Sequence, residues 1–338
     1  MKIGLTFDLA EEQQPGPGAP PDACAEFDTE ESIGYLEGAI AGLGYEVRRI
    51  GNLQALLHFL LQGESVDLVF NMAEGSRGRS REAQVPALLE AHGIPYTGSD
   101  PLTLALCLDK AMAKRVWQRA GLPTPDFAVV PEAGALGDAD LPPFPLFVKP
   151  LHEGTSKGID PGSVVHSAEV LGERVAWIVE TYRQPALVEA FLPGREFSVG
   201  ILGSGTGARV IGVTEIRVDS VKGIVDFREK QSWDGLGEGV FVPLAEGSLR
   251  QRLADLALRA YRVLECRDLG RVDLRLDAQG EPALLELNPI VGLHPLGSVM
   301  PILARQAGMS FDALVASIID QALCRSNNAG NGGGHYET

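Results

Sequence analysis

Residues 270–288 read GRVDLRLDAQGEPALLELN, in which two apolar segments flank a short polar one. The Gln279-Gly280 pair at the centre favours a tight turn, so the stretch predicts an antiparallel β-hairpin. Side chains alternate across a strand, so one face of this hairpin is apolar and should point into a core. The residues of that face are Val272, Leu274, Leu276, Leu285 and Leu287.

The opposite face of the hairpin is polar. Pairing about the turn puts Asp273 opposite Glu286 and Arg271 opposite Asn288, near one end of the sheet. Two carboxylates and a carboxamide oxygen make an all-oxygen set, which Mg²⁺ prefers and usually completes with phosphate and water. The alternative is a solvated strand face with an ion pair. Phosphate-binding signals elsewhere in the chain would weigh against that alternative.

A first phosphate-binding signal is FPLFVKPLHEGTSKGI, residues 144–159, where an apolar strand runs through Lys149 into a glycine-containing loop. Glycine lets backbone amides approach an anion closely, and a lysine at the strand end adds positive charge. The spacing is not that of a P-loop, and an ordinary surface turn is the alternative. Lys110, next to Asp109 as a helix cap, is a second candidate cation.

A second signal is LVEAFLPGREFSVGIL, residues 187–202, which predicts two apolar strands joined at Pro193-Gly194. Glu189 and Leu192 flank the connection, and Glu196 begins the second strand. Such a connection can offer backbone groups to a purine edge and a carboxylate to ribose hydroxyls. A plain hairpin is the alternative interpretation.

Elsewhere, the first hundred residues alternate strand and helix, which predicts a parallel, doubly wound lobe. Its predicted strands are 1–9, 45–50 and 67–71, and its predicted helices are 29–43 and 53–61. The later part predicts mostly strands, with helices at 109–119 and 248–264. The sequence from Ser326, SNNAGNGGGHYET, is of low complexity and predicts a disordered tail.

The composition excludes several classes of partner. The chain has 338 residues and a net charge of −16, which argues against nucleic acid or an anionic membrane as the main partner. The net charge does not exclude nucleotides as ligands, because local cations and backbone amides bind them. The four cysteines have neither metal nor redox-motif spacing, which favours reduced thiols. No apolar run reaches transmembrane length, and we expect a cytoplasmic protein.

These pieces occur in the order found in the ATP-grasp superfamily, and within it the chain resembles the D-alanine–D-alanine ligase family. The likeness covers roughly residues 1–325. It is carried by LDKAMAKRVWQRAGLPTP, VKPLHEGTSKGI, VEAFLPGREFSVGIL, GRVDLRLD, LLELNP and SVMPILARQAG. Several ordered motifs in one chain are far more specific than any one of them.

The resemblance implies an α/β fold of the ATP-grasp type with three lobes. An N-terminal Rossmann-like lobe with a parallel sheet would cover 1–104, a central subdomain 105–190 and a C-terminal catalytic subdomain 191–325. Residues 326–338 would form the disordered tail. ATP would lie between the antiparallel sheets of the central and C-terminal lobes, and the family suggests a homodimer.

The implied activity is ATP-dependent ligation of two amino acids, or of an amino acid and a peptide. The carboxylate of the first substrate attacks the γ-phosphate, and an amine then displaces phosphate from the acyl phosphate. The implied cofactors are ATP and two Mg²⁺ ions, with Mn²⁺ as an alternative. Two other functions stay open: a ligase for amino acids other than D-alanine, and a nucleotide-binding protein without ligase activity.

Residue by residue, the resemblance assigns roles at the nucleotide, the metal and the reacting atoms. The implied nucleotide contacts are Lys110 and Lys149 on phosphates, Glu189 and Leu192 on adenine, Glu196 on ribose, and Ser156 and Gly158 in the loop that covers the phosphates. The implied metal ligands are Asp273, Glu286 and Asn288. The implied catalytic residues are Arg271 for the oxyanion, Lys230 for the γ-phosphate, Thr155 at a family serine position and Ser298 for the second substrate's carboxylate.

The departures from the family pattern concern the substrates. The family glutamate that holds the first substrate's ammonium has no clear match, and Asp28, Glu30 and Glu31 are open candidates. FNMAEGSRGRSREAQ, residues 70–84, replaces a His-Gly…Gly-Glu-Asp-Gly pattern. Its arginines, which either bind an acidic substrate or lie in solvent, are Arg77, Arg79 and Arg81. The family tyrosine after Lys230 is Gln231 here, and His294 is new in its neighbourhood.

Overall fold

The computed structural model describes residues 1–16, 18–217 and 240–331. Its N-terminal part contains a three-stranded parallel sheet in the order β2-β1-β3, as the alternation of elements predicts. The strands are β1 (Lys2–Thr6), β2 (Glu46–Gly51) and β3 (Leu68–Asn71). The helices around them are α1 (Glu30–Gly42), α2 (Leu53–Leu61), α3 (Gln84–Ala91) and α4 (Pro101–Leu108).

The central part is a four-stranded sheet in the order β4-β7-β5-β6, with antiparallel pairs. Its strands are β4 (Phe127–Val130), β5 (Leu146–Pro150), β6 (Val164–Val165) and β7 (Ala186–Ala190). Helix α5 (Lys110–Arg119) precedes it, and α6 (Ala168–Tyr182) packs on one face. A small apolar core forms between α6 and this sheet, because the strands and the helix each bury one apolar face there.

The C-terminal part holds a five-stranded antiparallel sheet in the order β10-β9-β8-β11-β12. Its strands are β8 (Glu196–Leu202), β9 (Arg209–Ile216), β10 (Phe241–Pro243), β11 (Leu269–Leu276) and β12 (Pro282–Asn288). The helices are α7 (Ser248–Val263), α8 (Val299–Gln306) and α9 (Phe311–Asn331). One parallel and two antiparallel sheets confirm the predicted α/β architecture, while the boundaries at 104 and 190 stay a prediction.

The hairpin of β11 and β12 has the predicted register at its functional end. Arg271 pairs with Asn288 and Asp273 with Glu286, but the register shifts after Asp273 because of a bulge. A bulge inserts one residue and reverses the alternation beyond it. Leu284 is therefore fully buried in the core, whereas Leu285 lines a cavity, so the predicted core position of Leu285 is wrong.

Helix α5 begins where the sequence predicts. The Asp109 carboxylate accepts a hydrogen bond from the Met112 amide at 3.0 Å, which satisfies one of the open amides at a helix start. Lys110 is consequently the first residue of the helix and lies buried at the junction of α4 and α5. The cap thus places a lysine side chain close to the end of β12, where its Nζ lies 3.5 Å from Glu286.

The C-terminal helix is longer than expected. Helix α9 continues through Ser326 to Asn331, although the sequence from Ser326 predicts disorder. Extending an existing helix adds one hydrogen bond per residue without a new nucleation cost, which offsets weak propensity over a few residues. Among the described residues no single helix is long and apolar enough to cross a membrane, and only Val299–Gln306 and Phe311–Ser326, bent by 106° to each other, pass that test as a pair.

Candidate functional site

A cavity of about 100 Å³, here termed the inter-sheet cavity, lies between the two antiparallel sheets. Its apolar wall includes Phe147, Ile159, Phe191 and Leu285, which suits a flat ring system. Many of the predicted site residues line it, namely Lys149, Ser156, Glu189, Leu192, Glu196, Arg271, Asp273 and Glu286. The structure therefore brings together residues from five separate segments of the sequence.

Glu189 is held between two lysines at the back of this cavity. Lys149 Nζ lies 2.8 Å from its Oε1, and Lys114 Nζ lies 3.1 Å from its Oε2. Burial alone would raise the pKa of Glu189, but the two lysine charges outweigh it and lower that pKa. Burial lowers the pKa of Lys114 to about 8 against the opposing effect of Glu189.

The sequence interpretation missed Lys114. Its signal was present, because a lysine four residues after Lys110 lies on the face of α5 that also carries Ala111 and the fully buried Trp117. Lys114 is itself fully buried, and its Nζ also donates to Thr124 Oγ1 at 2.7 Å. A lysine on the apolar face of a helix requires a buried carboxylate, and Glu189 provides it.

Asp273 forms the centre of the predicted metal set. Its Oδ1 accepts from Ser198 Oγ at 2.5 Å, and its Oδ2 accepts from Arg271 Nη2 at 2.8 Å and from Asn288 Nδ2 at 3.1 Å. Glu286 faces Lys110 instead. Two carboxylates and one amide oxygen fit the oxygen preference of Mg²⁺, although Asn288 here presents its amide nitrogen to Asp273. Among residues 1–16, 18–217 and 240–331, no group of three or more His, Cys, Asp or Glu could hold a metal by itself.

The loop after β5 has the backbone shape of an anion site. Thr155, Ser156 and Gly158 all have positive φ, of 49°, 59° and 70°. A Cβ on Gly158 would come within 2.5 Å of Pro150, so glycine is required there. Left-handed residues in such loops turn amides toward a common point, which favours an anion. Gly158 lines neither cavity and instead donates its amide to Asp22 at 2.8 Å.

A larger cavity of about 310 Å³, here termed the acidic cavity, adjoins the first. Predicted site residues that line it are Lys110, Thr155, Arg271, Glu286, Asn288 and Ser298. The N-terminal part contributes the carboxylates of Glu26, Asp28, Glu74 and Glu82. Arg271 and Glu286 line both cavities, so the two spaces meet at the polar end of the β11–β12 hairpin.

The three candidate carboxylates for binding the ammonium of the first substrate lie in different places. Asp28 lines the acidic cavity. Glu30 pairs with Arg49 at 2.5 Å, and the side chain of Glu31 is 69% exposed near His294. Glu30 and Glu31 therefore lie outside the cavity, and of the three candidates only Asp28 remains.

Glu26 is a residue that the sequence interpretation missed. Its carboxylate accepts from Arg81 Nη2 at 2.9 Å, from Lys157 Nζ at 3.0 Å and from the Gly154 amide at 2.5 Å. Burial would raise the pKa of Glu26, but Arg81 and Lys157 outweigh it and lower that pKa. Its partners lie 55 to 131 positions away, so nothing in the local sequence pattern marks it.

The three arginines of residues 70–84 have different environments. Arg81 is only 8% exposed and is engaged by Glu26 and by the carbonyl of His152, so it is neither solvated nor available to an acidic substrate. Arg79 donates to Asp109 at 2.5 Å through Nη2. Arg77 is exposed, as the solvent alternative predicts.

His294 shapes the loop that carries Ser298. Its Nδ1 accepts from the Gly297 amide at 3.0 Å, and its own amide donates to Ser298 Oγ at 3.1 Å. Its Nε2 lies 3.7 Å from Glu31, and its ring meets Tyr35 edge-on at 5.4 Å. Because Nδ1 accepts, the ring proton is on Nε2, which points at Glu31. His294 therefore supports the loop, and Ser298 is the member that lines the acidic cavity.

Lys230, expected at the γ-phosphate, lies outside the described residues, as do Gln231 and residues 235–239.

Comparisons with known proteins found a matching family model, similar sequences and a similar solved structure. Residues 116–320 match the family model described as D-ala D-ala ligase C-terminus. An uncharacterized protein of Sinorhizobium fredii is 37% identical over 75% of this chain and 74% of its own length. A D-alanine–D-alanine ligase of Bordetella petrii is 36% identical over 78% of each chain. The crystal structure of a D-alanine–D-alanine ligase from Bacillus anthracis complexed with ATP has a TM-score of 0.69 at 22% identity, over 97% of this chain and 99% of that one.

Proposed function

The chain belongs to the D-alanine–D-alanine ligase family, and from this we propose that it is an ATP-dependent ligase that joins two amino acids through an acyl phosphate. The observation that carries the proposal is the meeting of two cavities at Arg271 and Glu286. One cavity would hold the nucleotide and the other the amino acids. A reaction between a phosphate and a carboxylate would take place where they join.

ATP would lie in the inter-sheet cavity. The apolar wall would hold adenine beside Glu189 and Leu192, and Glu196 would accept from the ribose hydroxyls. Lys149 would reach the phosphates from the end of β5, with the Thr155–Gly158 loop above them. Phosphoryl transfer depends mainly on positioning and charge neutralisation, and these groups supply both.

Mg²⁺ would be held by Asp273, Glu286 and Asn288. A bound Mg²⁺ neutralises phosphate charge and orients the reacting oxygens. Asn288 would turn its carbonyl oxygen toward the ion, which a rotation of its amide accomplishes. The Asp273 carboxylate would bind the ion in place of the Asn288 amide nitrogen, while Ser198 and Arg271 would keep that carboxylate oriented. We propose two ions in this site, with Mn²⁺ able to replace them.

In the first step a carboxylate oxygen of the first amino acid attacks the γ-phosphorus, and the bond to the ADP oxygen breaks. The Thr155 loop and Lys110 would stabilise the transferred phosphoryl group. Lys230 would contact the same group. In the second step the amine of the second amino acid, having lost a proton, attacks the acyl carbon, and the bond to phosphate breaks.

The second step needs a donor for the oxyanion of the tetrahedral intermediate. Arg271 engages Asp273 through Nε and Nη2, which leaves Nη1 for that oxygen. Ser298 would hold the carboxylate of the second substrate from the loop supported by His294. The acyl phosphate would have to be kept from water during this step.

A second candidate is a ligase with an amino acid other than D-alanine in the first position. Glu74 and Glu82 favour it, because they belong to the stretch 70–84 that departs from the family pattern, and both line the acidic cavity. A nucleotide-binding protein without ligase activity has less support, since Arg271, Asp273, Glu286 and Asn288 lie together at the junction of the cavities. We also propose a homodimer and a cytoplasmic location.

The test is ADP release by the purified full-length chain with MgATP and a panel of amino acids, with the product identified by mass spectrometry. We expect release that depends on an amino acid and a dipeptide of matching mass. D-alanine alone should produce the dipeptide if it fills both positions. ATP binding without ADP formation for any pair would refute ligation and revive the binding-protein alternative.

A further inference from the structure

We propose that the acidic cavity selects a first substrate with a second ammonium group, that is, a diamino acid. This inference rests on the proposed ligase function and specifies the substrate class of the same site. The physical basis is the excess of carboxylates over cations on the wall that the N-terminal part contributes. The site is the cavity that also contains Arg271 and Ser298, and the carboxylates decide which substrate fits it.

Three carboxylates on this wall lack a cationic partner. Asp28, Glu74 and Glu82 all line the cavity. Within the described part of the chain, no Lys, Arg or His nitrogen lies within 4.0 Å of any of them. Glu82 is only 7% exposed, and its hydrogen-bonding partner is the carboxyl of Glu74. Acids that face one another need either protons or an external cation.

The nearby cations are already engaged. Arg81 and Lys157 both bind Glu26, and Lys157 also pairs with Glu153. Lys110 faces Glu286 and donates to the carbonyl of Glu153. A further carboxylate, Asp8, acts on Asp28, and its Oδ2 accepts from the Gly75 amide at 2.9 Å. Arg81 and Lys110 act on Glu82 at longer range, and Arg81 acts on Glu74, but their ion pairs within 4.0 Å are with Glu26, Glu153 and Glu286.

The pKa values of the three carboxyls are raised, which agrees with this. Burial raises the pKa of Glu82 to about 7. Burial, with Asp8 nearby, likewise raises that of Asp28 to about 7. Burial, with Glu82 and Glu26 nearby, raises the pKa of Glu74 well above its usual value. These carboxyls can exchange protons for a bound cation near neutral pH. One α-ammonium offers a single charge to three carboxyls, and a second ammonium offers another, so that one carboxyl keeps its proton.

Two further observations favour an organic cation with this charge. No group of three or more His, Cys, Asp or Glu among the described residues has the arrangement of a metal site, so these acids do not form a metal cage. Residues 70–84, which replace the His-Gly…Gly-Glu-Asp-Gly pattern of the family, also contribute Glu74 and Glu82 to this cavity. Carboxylates at the wall of a site favour a ligand that carries positive charge there.

The experiment compares each diamino acid with a neutral isostere in which a methyl group replaces the side-chain ammonium. Diaminopropionate is compared with 2-aminobutyrate, and ornithine with norleucine, in both enantiomers, with D-alanine as partner. The readouts are kcat/KM for ADP release, dipeptide mass, and calorimetric affinity of the full-length protein in the presence of a non-hydrolysable ATP analogue. We expect a preference of about tenfold or more for a diamino acid, in both kcat/KM and affinity.

Two variants locate the cause of the preference. Glu82→Gln and Glu74→Gln keep the side-chain shape and remove the charge, and each should bring the ratio of diamino acid to isostere toward one. Glu180→Gln is the matched control, because Glu180 is exposed on α6 and outside both cavities. It should keep the wild-type ratio.

The outcomes separate this inference from the function on which it rests. Dipeptide formation with equal kcat/KM for diamino acids and isosteres overturns the inference and leaves the ligase function intact. A preference that survives in both Gln variants also overturns it. If no amino-acid pair yields dipeptide, the ligase function fails, and equal calorimetric affinities for the two ligand classes then overturn the inference as well.

Discussion

The lysine pair around Glu189 makes a quantitative prediction for Lys114→Met. Methionine preserves the length of the side chain and removes its charge, leaving Glu189 with Lys149 alone at 2.8 Å. Removing one partner of a buried ion pair costs about 3–5 kcal/mol, since the other charge stays buried. The remaining lysine limits the loss, so we expect the free energy of unfolding to fall by about 3 kcal/mol. Lys114 also donates to the Leu284 carbonyl. Thr124 Oγ1 still donates to that carbonyl at 2.8 Å in the variant, so this lost contact adds little to the fall in stability.

The assay is denaturant unfolding of four proteins: wild type, Lys114→Met, Glu189→Gln and the double variant. We expect a coupling free energy above about 1 kcal/mol, because the two groups are in contact. Lys2→Met is the matched control, since Lys2 forms an exposed pair with Glu46 at 3.1 Å and such pairs contribute about 1 kcal/mol or less. Additivity of the two single effects within about 0.5 kcal/mol would refute the ion-pair reasoning.

Three further predictions concern pH, the metal ligands and the substrate loop. The pKa values of Asp28 and Glu82 are higher in the folded than in the unfolded protein. These groups therefore contribute their full stability below the unfolded pKa values of 3.8 and 4.5. That contribution is lost as pH rises through about 7. Unfolding midpoints without ligand should therefore fall over that window, and less steeply in Glu82→Gln; equal slopes would contradict this. Asp273→Ala should abolish Mg²⁺-dependent turnover and leave the circular dichroism spectrum unchanged. Glu281→Ala, a control at an exposed position beside the turn of the same hairpin, should retain activity. Turnover that persists in Asp273→Ala would contradict the metal assignment. His294→Ala should raise KM for the second amino acid by about tenfold with little change in KM for ATP, because His294 supports the loop that carries Ser298. Equal increases in both KM values would instead indicate a general loss of structure.

The parts of the fold and site that the sequence predicts are those set by local patterns. The β11–β12 register follows from alternation and a Gln279-Gly280 turn, and the α5 start follows from Asp109. The bulge after Asp273 was not predictable, because alternation assumes regular pairing and so misplaced Leu285. The irregularity depends on both partners of the hairpin.

The ion pairs of Glu26 beside the acidic cavity could not be predicted for a different reason. Glu26, Arg81 and Lys157 are far apart in sequence and meet only in the folded chain, so neither spacing nor periodicity connects them. Lys114 is an intermediate case. Its position on the buried face of α5 could be predicted from the sequence, but its partner Glu189, which lies on a distant strand, could not.

The contacts of Glu26 connect the two ends of the reaction. The same carboxylate binds Arg81 and the amide of Gly154, which lies at the start of the loop proposed to cover the phosphates. A ligand that shifts either contact changes the free energy of the other. By thermodynamic linkage, the factor by which ATP alters the affinity for the first amino acid must equal the factor by which that amino acid alters the affinity for ATP. In the proposed ligase, Glu26 would therefore make the binding of one substrate depend on the arrival of the other.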